Sequence, residues 1–398
     1  MSSLASFSRS FLLATSVLLL AQSSLAIEGL FTGIHHHYQS PRALGMGDSF
    51  VAVADDYSLL FYNPAGLARL EESSINLSMD FGISSSYLAF EKEITAATKS
   101  GGTEAEQQAK ITQVLQNNYG RIYSSRIGAF HGVYVGPNFG FAVIPADFTT
   151  EYTVQDQAVP SLNARVYLDT TIAAGYGKEI KGFDSAGRLS WGTTVKFINR
   201  GYFSKQVNLF DLAADPEALR PEDMRDGFTI DADIGLLYTP FLPMDGFWSL
   251  LRLARPTFGA VVRNVGDYGF NQSLNVFTRG KKSATPEKLR RVFDFGTKWE
   301  YPSFWIFGGR GVMDFRDIGH PNYSFKKGLH LGFEFDWTVS SWWKGQYRFG
   351  LNQGYLTLGA SALFALFRLD LVNYGEDVGT FSSPKENRIW ALKMNVDW

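Results

Sequence analysis

Runs of about ten residues in which apolar and polar side chains strictly alternate recur through this chain, and they constrain its fold more than any other feature. Leu189, Trp191, Thr193, Val195 and Phe197 alternate with Ser190, Gly192, Thr194 and Lys196. Phe228, Ile230, Ala232, Ile234, Leu236 and Tyr238 alternate with Thr229, Asp231, Asp233 and Gly235. The same pattern runs from Leu329 to Trp337 around His330, Gly332, Glu334 and Asp336, and from Trp390 to Trp398 around Lys393 and Asn395. A period of two is a strand with two unlike faces. About ten residues is what a tilted strand needs to cross a bilayer, whereas strands of soluble sandwiches are nearer five or six. The alternation therefore predicts an all-β membrane protein, a transmembrane barrel with an apolar outer face and a polar lumen.

Strands are expected near 75–90, 125–135, 138–149, 164–177, 187–200, 227–238, 256–264, 290–301, 304–315, 327–338, 344–352, 354–363, 364–374 and 387–398. That is about 14, an even number, as an antiparallel closed barrel of a bacterial outer membrane requires. The connections sort by parity. Those at 91–124, 201–226 and 265–289 are long, while Gly136-Pro137 and Pro302-Ser303 are tight turns. Long loops on one rim and short turns on the other fit a barrel whose N-terminus lies in the periplasm. In the exception at 239–255, Phe247 to Leu253 reads as a short interfacial helix. Closure itself has a physical cause: backbone amides in hydrocarbon must all be paired, and only a closed sheet lacks free edges.

Composition agrees once the alternation is known. Aromatic residues are 15% of the chain and hydrophobic residues 45%, yet mean hydropathy is −0.09. Membrane helices would need runs of about 20 apolar residues, and none follows the N-terminal segment. Tyr301, Trp305, Trp337, Trp342, Trp343 and Trp398 fall near predicted strand ends, as interfacial girdles do. A net charge of −2 offers no footprint for nucleic acid. With no Cys at all, disulfides, thiolate metal sites, thiol nucleophiles and a lipidated N-terminal Cys are excluded. Residues 1–26 read as a cleaved signal peptide: Arg9, an apolar run from Phe11 to Ala21, and Ser24-Leu25-Ala26 at the cleavage site. An uncleaved anchor is the other reading, disfavoured because about 11 apolar residues are too few to span. The expected location is the bacterial outer membrane, with its lipid as the surrounding partner.

Residues 27–74 do not alternate. They hold Arg42-Ala43-Leu44-Gly45-Met46-Gly47-Asp48, then Phe50-Val51-Ala52-Val53-Ala54-Asp55-Asp56, and Phe61-Tyr62-Asn63-Pro64-Ala65-Gly66-Leu67. Gly45 and Gly47 permit tight backbone, and Asn63-Pro64 initiates a turn. A 14-stranded barrel encloses space that is left wet or plugged. The segment is expected to be a plug inside a barrel of residues 75–398. The pairing of these stretches resembles the outer-membrane long-chain fatty-acid transporter family (FadL/TodX-like), including PorV-like relatives. Val262-Arg263-Asn264-Val265-Gly266 and Tyr347 to Tyr355 are similar too. The resemblance implies that Asn63, Pro64 and Ala65, with Gly45 and Gly47, belong to an N-terminal hatch. Two departures stand out: Asp48, where relatives often have Gly, and the run His35-His36-His37.

The expected function is passive uptake of hydrophobic small molecules such as long-chain fatty acids. The alternatives are a PorV-like component of a secretion or surface-attachment system, and a structural barrel without transport. In the first outer loop, Thr103-Glu104-Ala105-Glu106 opens a helix running to about Asn117. Its stripe of Ile111, Val114 and Leu115 is a candidate hydrophobic capture surface, unless it packs only on other loops. A further short helix is expected within 211–226. Pro145, in the third strand, cannot donate to the ladder. By the resemblance it marks a lateral opening, and otherwise an ordinary bulge. An apolar pocket ending beside Pro145 would favour transport. Lumenal Lys196, Asp231, Asp233, His330, Glu334 and Asp336 either line a path or hold the hatch by charge pairing. His131 or His330 near a Ser would complete a nucleophile–base pair, but no nucleophile elbow or triad spacing accompanies them, so no enzyme is expected, and no cofactor or metal. The C-terminal strand ending in Trp398 is the expected handle for barrel-assembly machinery.

Overall fold

The computed structural model describes residues 33–155, 161–183, 185–208, 224–243, 247–276, 286, 288–379 and 384–398. The signal peptide reading lies outside them, as does nearly all of the helix expected at 211–226. Fourteen strands are present: β1 (Ser74–Ser84), β2 (Ile122–Gly136), β3 (Phe139–Gln155), β4 (Ser161–Glu179), β5 (Gly187–Asn208), β6 (Arg225–Pro240) and β7 (Thr257–Arg263). They continue with β8 (Val292–Phe304), β9 (Phe307–Ile318), β10 (Leu329–Ser340), β11 (Trp343–Asn352), β12 (Tyr355–Phe364), β13 (Phe367–Asp377) and β14 (Glu386–Asp397). Each pairs antiparallel with its sequence neighbours, and β1 pairs with β14 from Asn76↔Asp397 to Ser84↔Ile389, closing the barrel.

The faces divide as the alternation predicts. Leu77, Met79, Phe81, Val195, Ile230, Ile234, Phe333, Phe335, Trp390 and Met394 point outward and are exposed, while Ser78, Asp80, Lys196, Asp231, Asp233, His330, Glu334 and Lys393 point inward and are buried. So broad a belt of exposed apolar side chains is stable only against lipid. No helix among the described residues is long and apolar enough to cross a membrane; the strands do the crossing.

Several strand boundaries differ from expectation. β1 ends at Ser84, and Tyr87–Thr98 forms a helix (α3, after α1 Pro41–Gly45 and α2 Leu59–Tyr62). Tyr87, Phe90, Ile94 and Ala97 recur at helical spacing there, so the period changes within the predicted strand. In the other direction, β3, β4 and β5 reach 17, 19 and 22 residues, far more than the roughly ten a bilayer requires. They raise a tall wall on one side of the long-loop rim, whereas β11 and β12 turn over directly at Gln353-Gly354. Helix α4 (Glu104–Asn117) starts at the expected capping box, with Thr103 and Glu106 bonded reciprocally. Phe247–Leu253 is helical, as expected, and forms α5 on the short-turn rim.

Candidate functional site: the lumen and its hatch

The chain from His35 to Leu70 is packed inside the barrel. Tyr38, Met46, Phe50, Leu59, Leu60, Phe61, Ala65 and Leu67 form an apolar core with Val133, Val135, Ala142, Ile144, Ala173, Leu237 and Val312 of the inner wall. Its course runs the height of the lumen. His36 meets Asp317 at the long-loop end of β9, and the Leu67 carbonyl accepts from Asn138 in the short turn between β2 and β3.

Local sequence explains its turns. Pro41 opens α1, where a missing amide costs nothing. Gly47 and Asp48 both adopt left-handed backbone, φ 68° and 63°; Asp tolerates this conformation better than most residues. Asp48 is also paired with Arg316 and accepts from the Tyr62 hydroxyl at 2.6 Å, so the departure from Gly adds two contacts. Asn63 caps the 3₁₀ turn Pro64–Arg69 by accepting from Ala65 N at 3.1 Å. Its side-chain amide donates to the carbonyls of Val51, 2.8 Å, and Leu236, 3.0 Å. One side chain thus ties hatch to hatch and hatch to wall. Gly45, Gly47, Asn63, Pro64 and Ala65, the hatch residues expected from the sequence, are all buried in the lumen.

Charge pairing holds the plug. Glu334 lies fully buried between Arg42, with bonds of 2.9 and 2.8 Å, and Arg348, at 2.6 Å, with Arg310 3.3 Å away. Arg42 also reaches Asp55 and Asp56 at 2.7 and 2.8 Å. Arg263, paired with Asp294, donates to the carbonyls of Phe61 and Tyr62. Asp314 accepts from the amides of Phe50 and Val51 at 2.6 and 2.8 Å. His330 bonds the Gly47 carbonyl at 2.7 Å. Lys196 bonds Asp233 at 2.8 Å, Asp231 accepts from the Gly266 amide, and Asp336 faces Arg310 at 3.8 Å.

The hatch backbone also needs room, and inward-facing glycines supply it. A Cβ at Gly332 would stand 2.3 Å from the Met46 carbonyl, at Gly192 2.3 Å from that of Pro64, and at Gly259 2.5 Å from that of Val51. These strands carry no side chain where the plug's main chain touches them.

Above the hatch, at the long-loop end of the lumen, is a cavity of about 730 Å³. His35, His36, His37 and Phe61 contribute to its lining, as do β4 to β9. Among the described residues that line it, eight are Arg or Lys and one, Asp317, is acidic. This is not the apolar pocket that the transport reading anticipates, and it does not reach Pro145. The three histidines are spent on structure. His35 stacks on Tyr167 with ring centroids 3.9 Å apart and bonds Asp169 at 3.2 Å; His36 bonds Asp317 at 3.1 Å. His37 meets Phe61 edge-on at 5.9 Å. Among the described residues no cluster suits a metal ion.

Burial lowers the His35 pKa from 6.5 to about 4, against the opposing bond to Asp169, and burial lowers His37 in the same direction. A released tip takes up protons at a higher pH than a seated one. Seating is therefore complete above about pH 6.5 and weakens as pH falls toward 4. A spin label on an Ile34→Cys variant, specific because the chain has no other Cys, is expected to gain mobility from pH 7 to 4.5. His35→Gln/His37→Gln in the same background should remove the effect.

Pro145 lies at a break in the wall. β2 and β3 pair at Ala129↔Ala146 and Gly132↔Val143, but the two positions between are unpaired. β3 shifts register against β4 between Ile144 and Asp147, and β2 against β1 opposite Ser78 and Asp80. Phe130 has φ 57° and faces outward, 59% exposed. Inside the break His131 is buried 3.3 Å from Asp80, with Tyr38 of the hatch next to it.

Ile111, Val114 and Leu115 do not form an open capture surface. Ile111 and Leu115 are buried against Tyr123 and Val154, with Val114, Phe90 and Ile94 packed around them. The reason is the tall wall: β2 and β3 rise far enough to give the helical pair α3 and α4 an apolar face to lie on.

No protein-family model matches the chain, and no curated protein matches it. Solved structures that align with it include the toluene transporter TbuX of Ralstonia pickettii, at 10% identity over 90% of this chain and 98% of that one, TM-score 0.42. The CymD monoaromatic hydrocarbon channel aligns at 10% identity over 90% and 96%, TM-score 0.43. A Pseudomonas aeruginosa FadL homologue does so at 10% over 92% and 99%, TM-score 0.33.

Proposed function

We propose that the chain is a plugged channel of the outer membrane through which hydrophobic small molecules, such as long-chain fatty acids, enter passively and leave sideways into the bilayer. The observation that carries this reading is the break between β2 and β3. A wall meant only to be a wall has every reason to keep its ladder continuous, because unpaired amides in hydrocarbon are costly. Here two successive pairs are missing, a proline removes a donor, and neighbouring strands shift register at the same height. The hatch meanwhile fills the lumen behind, so a water-filled pore is not the design. The seat of Tyr38 beside His131 puts the hatch where its movement would expose the break. Long loops face outward and short turns face the periplasm in this orientation.

The test is uptake of radiolabelled oleate by cells with and without the gene. Uptake is expected to fall when it is deleted and to return with the wild-type chain. Pro145→Val restores the missing amide and favours a closed ladder, and it is expected to return a correctly inserted barrel with severalfold lower uptake. Equal uptake by cells carrying Pro145→Val would remove the lateral route.

A further inference from the structure

The break beside Pro145 has a polar niche on its inner side. Tyr38 of the hatch, Asp80 of β1 and His131 of β2 meet there, 5%, 7% and 2% exposed. Asp80 lies 3.3 Å from His131 Nδ1, and the rings of His131 and Tyr38 are 6.2 Å apart. Gly128, opposite Asp80 in the ladder, makes room for both: a Cβ there would stand 2.2 Å from Asp80 Oδ1 and 2.6 Å from His131 Nε2. Lys393, the partner of Asp80 across the seam, lies over the rings of Tyr38 and Tyr57 at 5.5 and 5.1 Å. Among the described residues, the Tyr38 hydroxyl, Asp80 Oδ1 and both ring nitrogens of His131 have no hydrogen-bond partner. Buried polar atoms are ordinarily paired. Here four unpaired ones gather at the height where the wall breaks, a set of donors and acceptors that the fold itself does not use.

We infer that the niche binds the hydroxyl of an otherwise apolar molecule, a long-chain alcohol or a phenol, as that molecule passes the break. A hydroxyl both donates and accepts, so it gives a bond to Asp80 and receives one from Tyr38 or His131. Asp80 and Lys393 contribute one charge of each sign, which suits a neutral head group. A carboxylate would set a second negative charge against Asp80 where little water screens it. A fatty acid meets the same requirement as the un-ionised acid, whose O–H is the same kind of group. A hydrocarbon leaves every group of the niche unpaired, and a site built to bond a hydroxyl rejects the analogue that lacks it. The inference rests on the lateral route proposed above for what passes the break; what the niche binds is measured apart from passage.

Purified full-length protein in lipid nanodiscs would be dialysed to equilibrium against radiolabelled 4-hexylphenol, hexylbenzene and 4-hexylbenzoate, with empty nanodiscs as the blank. The three share ring and tail and differ only in the head group. Saturable binding of 4-hexylphenol is expected, at least about tenfold tighter than either of the others. Tyr38→Phe removes a hydroxyl that bonds nothing in the fold, so the barrel should insert and melt as wild type, while 4-hexylphenol binding weakens about fivefold. Asp80→Leu removes the acceptor and should bring 4-hexylphenol close to hexylbenzene. The assignment is overturned if hexylbenzene or 4-hexylbenzoate binds as tightly as 4-hexylphenol, if none binds saturably, or if Tyr38→Phe binds 4-hexylphenol unchanged. Oleate uptake is measured separately in cells. Selective binding without uptake would retain the niche and remove the route, and uptake without selective binding would do the reverse.

Discussion

Glu334→Ala is expected to unseat the hatch while leaving the barrel wall intact. The carboxylate is fully buried and sits among Arg42 of the hatch and Arg310 and Arg348 of the wall. Its loss removes the one carboxylate that bridges all three arginines, leaving Arg42 and Arg310 to the part-exposed Asp55, Asp56 and Asp336, and Arg348 to Asp370 at 3.7 Å. Removing one partner of a buried pair costs roughly 3–5 kcal/mol, mostly from the charge left behind. The outward face is untouched, because Glu334 lies between the lipid-facing Phe333 and Phe335. The penalty therefore falls on the contact between plug and wall. In planar bilayers the variant should show current steps of a partly opened lumen, where wild type should be nearly silent. A spin label at residue 34 should be mobile at neutral pH. Adding Arg42→Ala should recover part of the loss, since it removes one of the stranded cations. Quiet bilayers and an immobile label in the single variant would mean that this cluster does not hold the plug.

A comparable effect is expected from Gly332→Val, by crowding alone. The new Cβ would stand 2.3 Å from the Met46 carbonyl and 2.7 Å from the Met46 Cβ, against backbone fixed on both sides by α1 and Gly47. Overpacking typically costs about 1–3 kcal/mol where side chains can give way; here main chain must move, and the cost should lie at the top of that range or above it. Gly132→Val is the matched control. It faces the lipid side, with its nearest contact 3.8 Å away at Leu77, and should change neither conductance nor melting. If Gly332→Val keeps the lumen closed, the hatch has slack that its close fit to the wall does not suggest.

Strand number, faces and the hatch segment were legible in the sequence because each is written in a local pattern. The period-two runs mark which side chains meet lipid, and they end where Gly, Pro or Asn begins a turn. The tall rim was not legible. Beyond Arg200 the chain leaves the membrane zone, and Gly201 to Asn208 need no apolar outer face, so the alternation fades while the ladder continues. The cavity above the hatch was hidden for another reason. Arg165, Arg200, Arg225 and Arg263 belong to four different strands, and only closure of the sheet brings them round one space. The glycine seats were visible as small inward residues, yet nothing local told Gly332, which meets a carbonyl, from Gly132, which meets lipid. The stripe of Ile111, Val114 and Leu115 was read correctly as apolar, but its partner, the upper part of β2 and β3, belonged to that unforeseen rim. The histidine run shows the same limit: His35 finds its partners on β4, His36 on β9 and His37 on Phe61 within the hatch.

The course of the hatch has a consequence for how the molecule is made. Its first described residues are nearest the long-loop mouth, and its trailing end leads directly into β1, the strand that joins β14 at the seam. The guest is thus tethered to the first stave of its own cask and must be inside before the last is set. Its seats belong to staves laid down in between, and they leave too little clearance for a folded plug to be drawn up through a finished ring. Substitutions in the hatch or at its seats should therefore slow the birth of the barrel as well as loosen its finished state, even though no lipid-facing residue has changed.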